Sequence, residues 1–506
     1  MTFNSIEFIF FFAIVFVLYF LPAMKTAARQ NTLLLVASYV FYGMWDWRFL
    51  GLILLTTTST FFTGMFLMKK KAKWIAGTNI GINLCILAIF KYFNFFGDNL
   101  SRLLKLTGFD IDWVFLDIIL PVGISFYTFQ AIGYTIDAYR DNLKGVPTDN
   151  PVMFATFIAY FPQLVAGPIE RAKNIIPQLK QTRIWNYEDS VAGLRRILWG
   201  AMKKVVIADQ CGMHADMIWS LGLDAPHGEI KMFIAVLLFC IQIYCDFSGY
   251  CDMALGISQM LGIRLMENFR MPYFSRSILE FWHRWHISLM EWFKQYVYIP
   301  LGGSHVSRYR HYMNISIVFI ISGLWHGASW CFLLWGIYWG LIYILAIIMK
   351  VQTYKDDPDI TRHNMSGTIC SMSMVITGWA IFRSTSVSEC TALLFRSVIP
   401  LTIITAVSAM VITKCVNSAT MKKIGKWTLI TAFISACLIF PAKIISYYYL
   451  LYAAGMFACE WAARAKNNSL YPVPCRKPLR YALYIFIYIS IVLAPSSDSA
   501  FIYFQF

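Results

Sequence analysis

The stretch Ile315-Ser-Ile-Val-Phe-Ile-Ile-Ser-Gly323-Leu-Trp325-His326-Gly327-Ala-Ser-Trp330 reads as a membrane-spanning helix that carries an imidazole. An ionisable side chain at bilayer depth costs about 3 kcal/mol when charged, and such residues default to a functional reading. Gly323 and Gly327 stand at i−3 and i+1 from His326. They remove side chains there, so a substrate or another backbone can come close. The competing reading is a neutral histidine satisfied by a hydrogen bond between helices, and position alone leaves both open.

The membrane setting follows from composition. Hydrophobic residues fill 58% of the 506 positions and charged residues 14%, against roughly 25% charged in soluble domains. A water-soluble chain of this length needs far more polar surface, so lipid covers much of this one. The 17% aromatic share suits interfacial belts of Trp and Tyr. The fold class expected is an all-α polytopic membrane protein with roughly eleven to fourteen crossings, since each needs about 20 apolar residues. It spans 1–506 as one membrane-embedded domain with no soluble module and no evident repeat.

A net charge of +16 would suggest nucleic acid in a soluble protein. Here the basic residues gather between apolar runs, as in Lys69-Lys70-Lys71-Ala72-Lys73. That is the signature of cytoplasmic loops, and nucleic acid is not an expected partner; membrane lipid is. The loop Lys25–Arg29 and the segment Glu170–Arg196 fall on the same side. The first apolar run, Ile6–Leu21, has its basic residues behind it, unlike a secretory signal peptide. The expected location is a cell inner or plasma membrane, multi-pass, with the N-terminus extracytoplasmic. Twelve cysteines without a CxxC pair read as helix packers rather than a disulfide framework or a zinc site.

Between Arg264 and Arg310 the apolar pattern breaks. Glu280-Phe-Trp-His283-Arg284-Trp285-His286-Ile-Ser288-Leu is too charged to span and too aromatic for an exposed loop. Polar backbone at membrane depth is tolerated where protein buries it or water lines it, so short, partly re-entrant helices are expected. His286 is the natural second member of a site with His326. One imidazole can act as general base on a hydroxyl while the other orients a donor, and general acid–base help is typically worth about 10²–10⁴-fold. The alternative for His286 is packing among Trp282, Trp285 and Trp292. His283 and His286 share a helix face at i, i+3, but no HExxH and no third ligand of suitable spacing accompanies them, so no metal is expected. No GxSxG elbow and no P-loop is present.

Asp246 and Asp252, in Tyr244-Cys-Asp-Phe-Ser-Gly-Tyr-Cys-Asp252, must face protein rather than lipid. They read as structural supports paired with Arg264, Arg270 or Arg284, or else as a cation path in a transporter.

Taken together, Asp246-Phe-Ser-Gly-Tyr-Cys-Asp252-Met-Ala, Glu267-Asn268-Phe269, Phe281-Trp-His-Arg-Trp-His286-Ile-Ser-Leu, Tyr298-Ile-Pro-Leu-Gly-Gly303 and Gly323-Leu-Trp-His326-Gly327 resemble the membrane-bound O-acyltransferase (MBOAT) family. Within it they are most similar to the bacterial alginate O-acetyltransferase-like branch. Phe161-Pro-Gln-Leu-Val-Ala-Gly167-Pro-Ile169 and Gly378-Trp-Ala-Ile-Phe-Arg383 resemble that branch too. The likeness covers a core of about 120–385.

The resemblance implies helices ringed around a thin centre with a tunnel joining the two faces. It implies His326 and His286 as the catalytic histidines, with Trp285, Trp325, Gly323, Gly327, His283, Arg284 and Ser288 along the substrate path. It further implies an acyl thioester co-substrate, acetyl-CoA or an acyl carrier protein, on the cytoplasmic side and no bound cofactor. The acceptor would be a glycan hydroxyl from outside, presented by an extracytoplasmic partner or a second acyltransferase. The expected function is thus transfer of an acyl group, acetyl foremost, to a polysaccharide or cell-wall glycan; D-alanyl transfer to teichoic acid and a transporter without chemistry are the alternatives. His283 replaces an arginine common at its place in the motif. The tail 495–506, ending Phe501-Ile-Tyr-Phe-Gln-Phe506, is expected to dock near the extracytoplasmic mouth.

Overall fold

The computed structural model describes residues 1–108, 119–143, 146, 149–354, 365–415, 448–463, 476–495 and 501. Helices form all of its regular structure, with no strand among the described residues. In chain order they are α1 (Ile6–Tyr19), α2 (Ala27–Asp46), α3 (Leu50–Lys69), α4 (Lys73–Leu106), α5 (Ile124–Tyr139), α6 (Pro151–Ala159), α7 (Phe161–Leu164), α8 (Ala172–Lys180), α9 (Tyr187–Ala201) and α10 (Asp209–Trp219). There follow α11 (Gly228–Met260), α12 (Ile278–Arg284), α13 (Ile287–Phe293), α14 (Arg308–His326), α15 (Trp330–Ile348) and α16 (Met365–Arg383). The last are α17 (Val387–Leu393), α18 (Ile399–Cys415), α19 (Tyr448–Ala463) and α20 (Lys477–Leu493).

Six described segments are long and apolar enough to cross a membrane: Ala27–Lys69, Lys73–Leu106, Gly228–Met260, Trp330–Ile348, Met365–Arg383 and Val387–Ser408. The first holds both α2 and α3, each of 20 residues, while α1, α5, α14 and α20 are shorter or more polar. At 34 residues, α4 runs about 50 Å, well beyond a hydrocarbon core of about 30 Å.

Local sequence sets the helix starts. Asn150 Oδ1 accepts from Met153 N–H (3.0 Å) with Pro151 at the first helical position of α6. Ser277 Oγ accepts from Glu280 N–H (3.2 Å) at α12. Such caps satisfy orphan donors at helix starts and are worth about 1 kcal/mol each.

Two polar belts mark opposite ends of the bundle. At the Met260 end of α11, Gln259 bonds Asp189 (3.3 Å) and Arg264 pairs with Asp189. The same end of the bundle holds Arg183, whose guanidinium donates to Tyr19 Oη (2.7 Å) and Asn31 Oδ1 (2.7 Å). Lys71 pairs there with Asp141 (3.0 Å), and Arg171 with Asp137 (3.2 Å). At the Gly228 end, Arg396 pairs with Asp224 (2.9 Å) and Glu229 (3.1 Å), and Trp219 donates to Glu389 (2.6 Å).

Helix α9 lies directly on α11. A Cβ at Gly193 or Gly200 would collide with the carbonyl oxygen of Gly256 or Gly249, the close approach that small residues allow between membrane helices. That contact carries the Asp246–Asp252 stretch onto a basic turn, the π-helical segment Met202–Ala208. Asp252 pairs with Arg196 (3.0 Å) and Lys203 (2.9 Å), and Lys204 pairs with Asp246 and Asp209 (2.7 Å each). The two aspartates are structural ion-pair partners, but not of the arginines expected. Arg264 goes to Asp189 and Arg284 to Glu280 (2.7 Å).

Candidate active site

The site is built where α14 ends. His326 is the last residue of that helix, and Gly327 continues in extended backbone (φ −170°). The imidazole is 7% exposed. Its ring lies 4.9 Å from that of Trp325, 5.1 Å from Trp335 and 5.2 Å from Phe382, each edge-on. One side remains open to a cavity of about 230 Å³, whose wall includes Trp45, Lys91, Gly123, Ser125, Phe126, Trp325 and His326. Trp45, 43% exposed, stands at the end of α2 far from the Lys69–Lys73 cluster. The cavity therefore opens on the face away from that cluster.

His286 reaches the site from the other direction. Helices α12 and α13, seven residues each, are joined at Trp285–His286. Both outer ends return to the lysine-cluster face. Arg276 stacks on the Tyr354 ring (4.0 Å) ahead of α12, and Tyr296 donates to Asp137 (2.7 Å) after α13. This is the short re-entrant pair expected from the sequence, and His286 is its apex.

The turn forces His286 into the left-handed region, φ 45° and ψ 52°, which is uncommon for a residue with a side chain. The segment around Asn268 holds it there. Asn268 carbonyl accepts from Ile287 N–H (3.0 Å), and its Oδ1 accepts from Ser288 N–H (3.2 Å) and Ser288 Oγ (2.6 Å). Ser288 Oγ in turn accepts from Ile169 N–H (3.0 Å). The His286 ring lies 4.7 Å from Phe247 and 6.0 Å from Trp325. Trp325 thus packs edge-on against both imidazoles.

The other expected path residues divide. Trp325 lines the cavity. Trp285 is core, stacked on Phe281 and 4.8 Å from Trp379. Gly323 and Gly327 serve packing: a Cβ at 323 would strike the Phe332 carbonyl of α15, and one at 327 the Phe332 ring. Of the two possibilities in the sequence, the close neighbour is protein. Ser288 is the latch just described. Arg284 is tied to Glu280 and donates to the Arg270 carbonyl (3.1 Å). His283 is exposed and does not line this cavity. No three His, Cys, Asp or Glu side chains gather as metal ligands among the described residues.

Two neighbours of His326 were not singled out in the sequence. Lys91 lines the same cavity, and the adjoining Tyr92 touches α14. A cation inside the apolar run 74–96 is the signal that points to them.

The geometry is that of a buried imidazole reached from one face, with a second imidazole brought up from the opposite face. The profile described as "MBOAT, membrane-bound O-acyltransferase family" matches residues 148–388, which include both histidines. The chain is 38% identical over 392 residues to "Probable alginate O-acetylase AlgI" of Azotobacter vinelandii, covering 76% of this chain and 75% of that protein. The chain belongs to the membrane-bound O-acyltransferase family. Another relative is "Peptidoglycan O-acetyltransferase" of Helicobacter pylori, 32% identical over 420 residues, 76% of this chain and 77% of that one. "Teichoic acid D-alanyltransferase" of Bacillus subtilis is more distant, 27% identical over 230 residues, 43% of this chain and 56% of the relative. This membrane-bound O-acyltransferase is accordingly a multi-pass membrane enzyme, and the transporter alternative falls away.

The C-terminal tail lies mostly outside the described residues. Its Phe501 is buried, 5.1 Å from Tyr250 and 6.1 Å from Phe247.

Proposed function

We propose that this enzyme moves an acetyl group from a cytoplasmic thioester to a hydroxyl of an extracytoplasmic polysaccharide or cell-wall glycan, with His326 as general base. The observation that carries the proposal is the position of His326, buried among aromatic rings yet open to the cavity on the face opposite Lys69–Lys73. The positive-inside rule makes the lysine face cytoplasmic. The N-terminus is then extracytoplasmic, and the cavity receives the acceptor. The donor, acetyl-CoA or an acyl carrier protein, approaches from the His286 side.

The chemistry needs little else. A thioester is already activated, so no nucleotide site is required. His326 accepts the proton as the acceptor oxygen bonds to the thioester carbonyl carbon. The tetrahedral intermediate collapses with cleavage of the C–S bond, and the departing thiolate takes the proton from the imidazolium. Holding both reactants across one imidazole supplies the positioning that makes such a step fast, and His286 orients the donor. Acetyl rather than D-alanyl is favoured because the acetyl-transferring relatives match three quarters of the chain and the D-alanyl relative less than half.

The test is glycan mass spectrometry on cells lacking the chain, complemented with wild type or His326→Ala at equal amounts of folded protein. Ester-linked acetyl should return with wild type alone. Normal acetylation by His326→Ala removes the assigned role, and loss of D-alanyl instead of acetyl moves the enzyme to the other branch.

A further inference from the structure

The end of α14 leaves its last four carbonyls without partners inside the helix. The common remedy is a left-handed glycine just past the end, but Gly327 is extended. The partners come instead from α4, more than two hundred residues away in sequence. Lys91 Nζ donates to the carbonyl oxygens of Trp325 (2.5 Å) and His326 (2.9 Å), and Tyr92 Oη donates to that of Leu324 (2.6 Å). Two consecutive residues thus satisfy three of those four carbonyls.

We propose that Lys91, assisted by Tyr92, is the positioning residue of the reaction: it fixes the terminal turn of α14 and thereby the direction of the His326 imidazole. This rests on the reading of His326 as general base. The bonds of Lys91 run to backbone carbonyls, so it acts through the turn that carries the imidazole. Its ammonium places a positive charge on the negative end of the α14 dipole, which favours the ordered terminal turn. It also stands 5.9 Å from the centre of the Trp325 ring, the ring that contacts both histidines. Without the cap, the last turn is free to fray into extended backbone, and the imidazole moves relative to both reactants.

The chemistry explains why a lysine sits in an otherwise apolar helix. A half-buried ammonium in an apolar helix needs oxygen partners, and a helix end offers them as a cluster. Lysine has three N–H donors, so one remains after the two carbonyl bonds, on a residue that lines the cavity.

The experiment uses the full chain in cells lacking it, following the rate of incorporation of labelled acetyl into glycan. Folded protein is counted as monodisperse material extracted in detergent. Lys91→Met should keep a normal amount of folded protein and lose about 10²-fold in rate, the scale of a displacement of about 1 Å at a reacting group. Lys91→Arg, which can donate to the same two carbonyls, should recover most of the rate, and Tyr92→Phe should lose a few-fold. A Lys91→Met rate within twofold of wild type overturns the inference, and so does folded Lys91→Arg that is as inactive as Lys91→Met. If Lys91→Met does not fold, folded and active Lys91→Arg supports the role and folded, inactive Lys91→Arg refutes it. His326→Ala, run alongside, separates the two levels. An inactive His326→Ala with an active Lys91→Met sinks only the role of Lys91, whereas an active His326→Ala sinks the general-base reading.

Discussion

Two regions of this protein bury ionisable groups at membrane depth, and they differ in what surrounds them. Along α11, Asp252 is gripped by Arg196 of α9 and by Lys203 of the π-helical turn, and Lys204 of that turn is held by Asp246 and Asp209. Arg196 also pairs with Glu267 (2.5 Å), and Lys203 lies 3.8 Å from Glu460, which accepts from Tyr244 (2.7 Å). Around the His326 ring stand aromatic side chains and a cavity, with the Lys91 ammonium bonded to that residue's carbonyl (2.9 Å). The first arrangement spends every charge on a protein partner. The second sets an imidazole at the wall of a cavity.

That contrast can be broken by substitution. The largest effect expected is on activity alone: His326→Ala should lower acyl transfer by about 10²–10⁴-fold, the usual worth of a general base, with an unchanged unfolding midpoint in detergent. Equal loss of folded protein would put His326 in the structural class. Next, Lys203→Met should cost about 3–5 kcal/mol of stability, the penalty for stranding a buried partner, read as a lowered midpoint and depleted folded protein. A normally folded but inactive Lys203→Met would instead move that network into the catalytic class.

Asn268→Ala falls between the two regions. It strips the acceptor from Ser288 next to His286 and should cost about 1–3 kcal/mol, with slower transfer because the His286 turn loosens. Unaltered transfer despite the lower midpoint would detach that turn from catalysis. Smallest of all, Arg102→Ala removes an exposed pair with Asp98 (3.0 Å) on α4, and neither the midpoint nor the transfer rate should change measurably.

Much of this division was legible in the chain itself. A histidine in a spanning run, a charged aromatic interval too short to cross, and two aspartates beside apolar stretches each announce their environment through the cost of burying charge. What stayed hidden was partnership. Arg264 and Arg284 are nearer in sequence to Asp252, yet Lys203 and Arg196 reach it because Gly193 and Gly200 let α9 lie against α11. Gly323 likewise looks the same in sequence whether it makes room for substrate or for the backbone of α15. The exposed His283 shows the same limit, since the direction of a side chain on a seven-residue helix depends on how its neighbours turn it. Lys91 was visible as a lone cation, but its carbonyl partners depend on α4 and the end of α14 meeting in space.

Tyr250 adds an implication for how the protein is assembled. Phe3 stacks on its ring at 4.6 Å and Phe501 approaches to 5.1 Å, so residues from before the first described helix and after the last meet on one aromatic surface in mid-chain. The ribosome delivers Phe3 long before Phe501, which emerges only after every helix described here has been translated. Until then that side of Tyr250 lacks its cover, and a nascent chain stalled short of Phe501 would leave the insertion machinery with an enzyme whose aromatic lid is still half built.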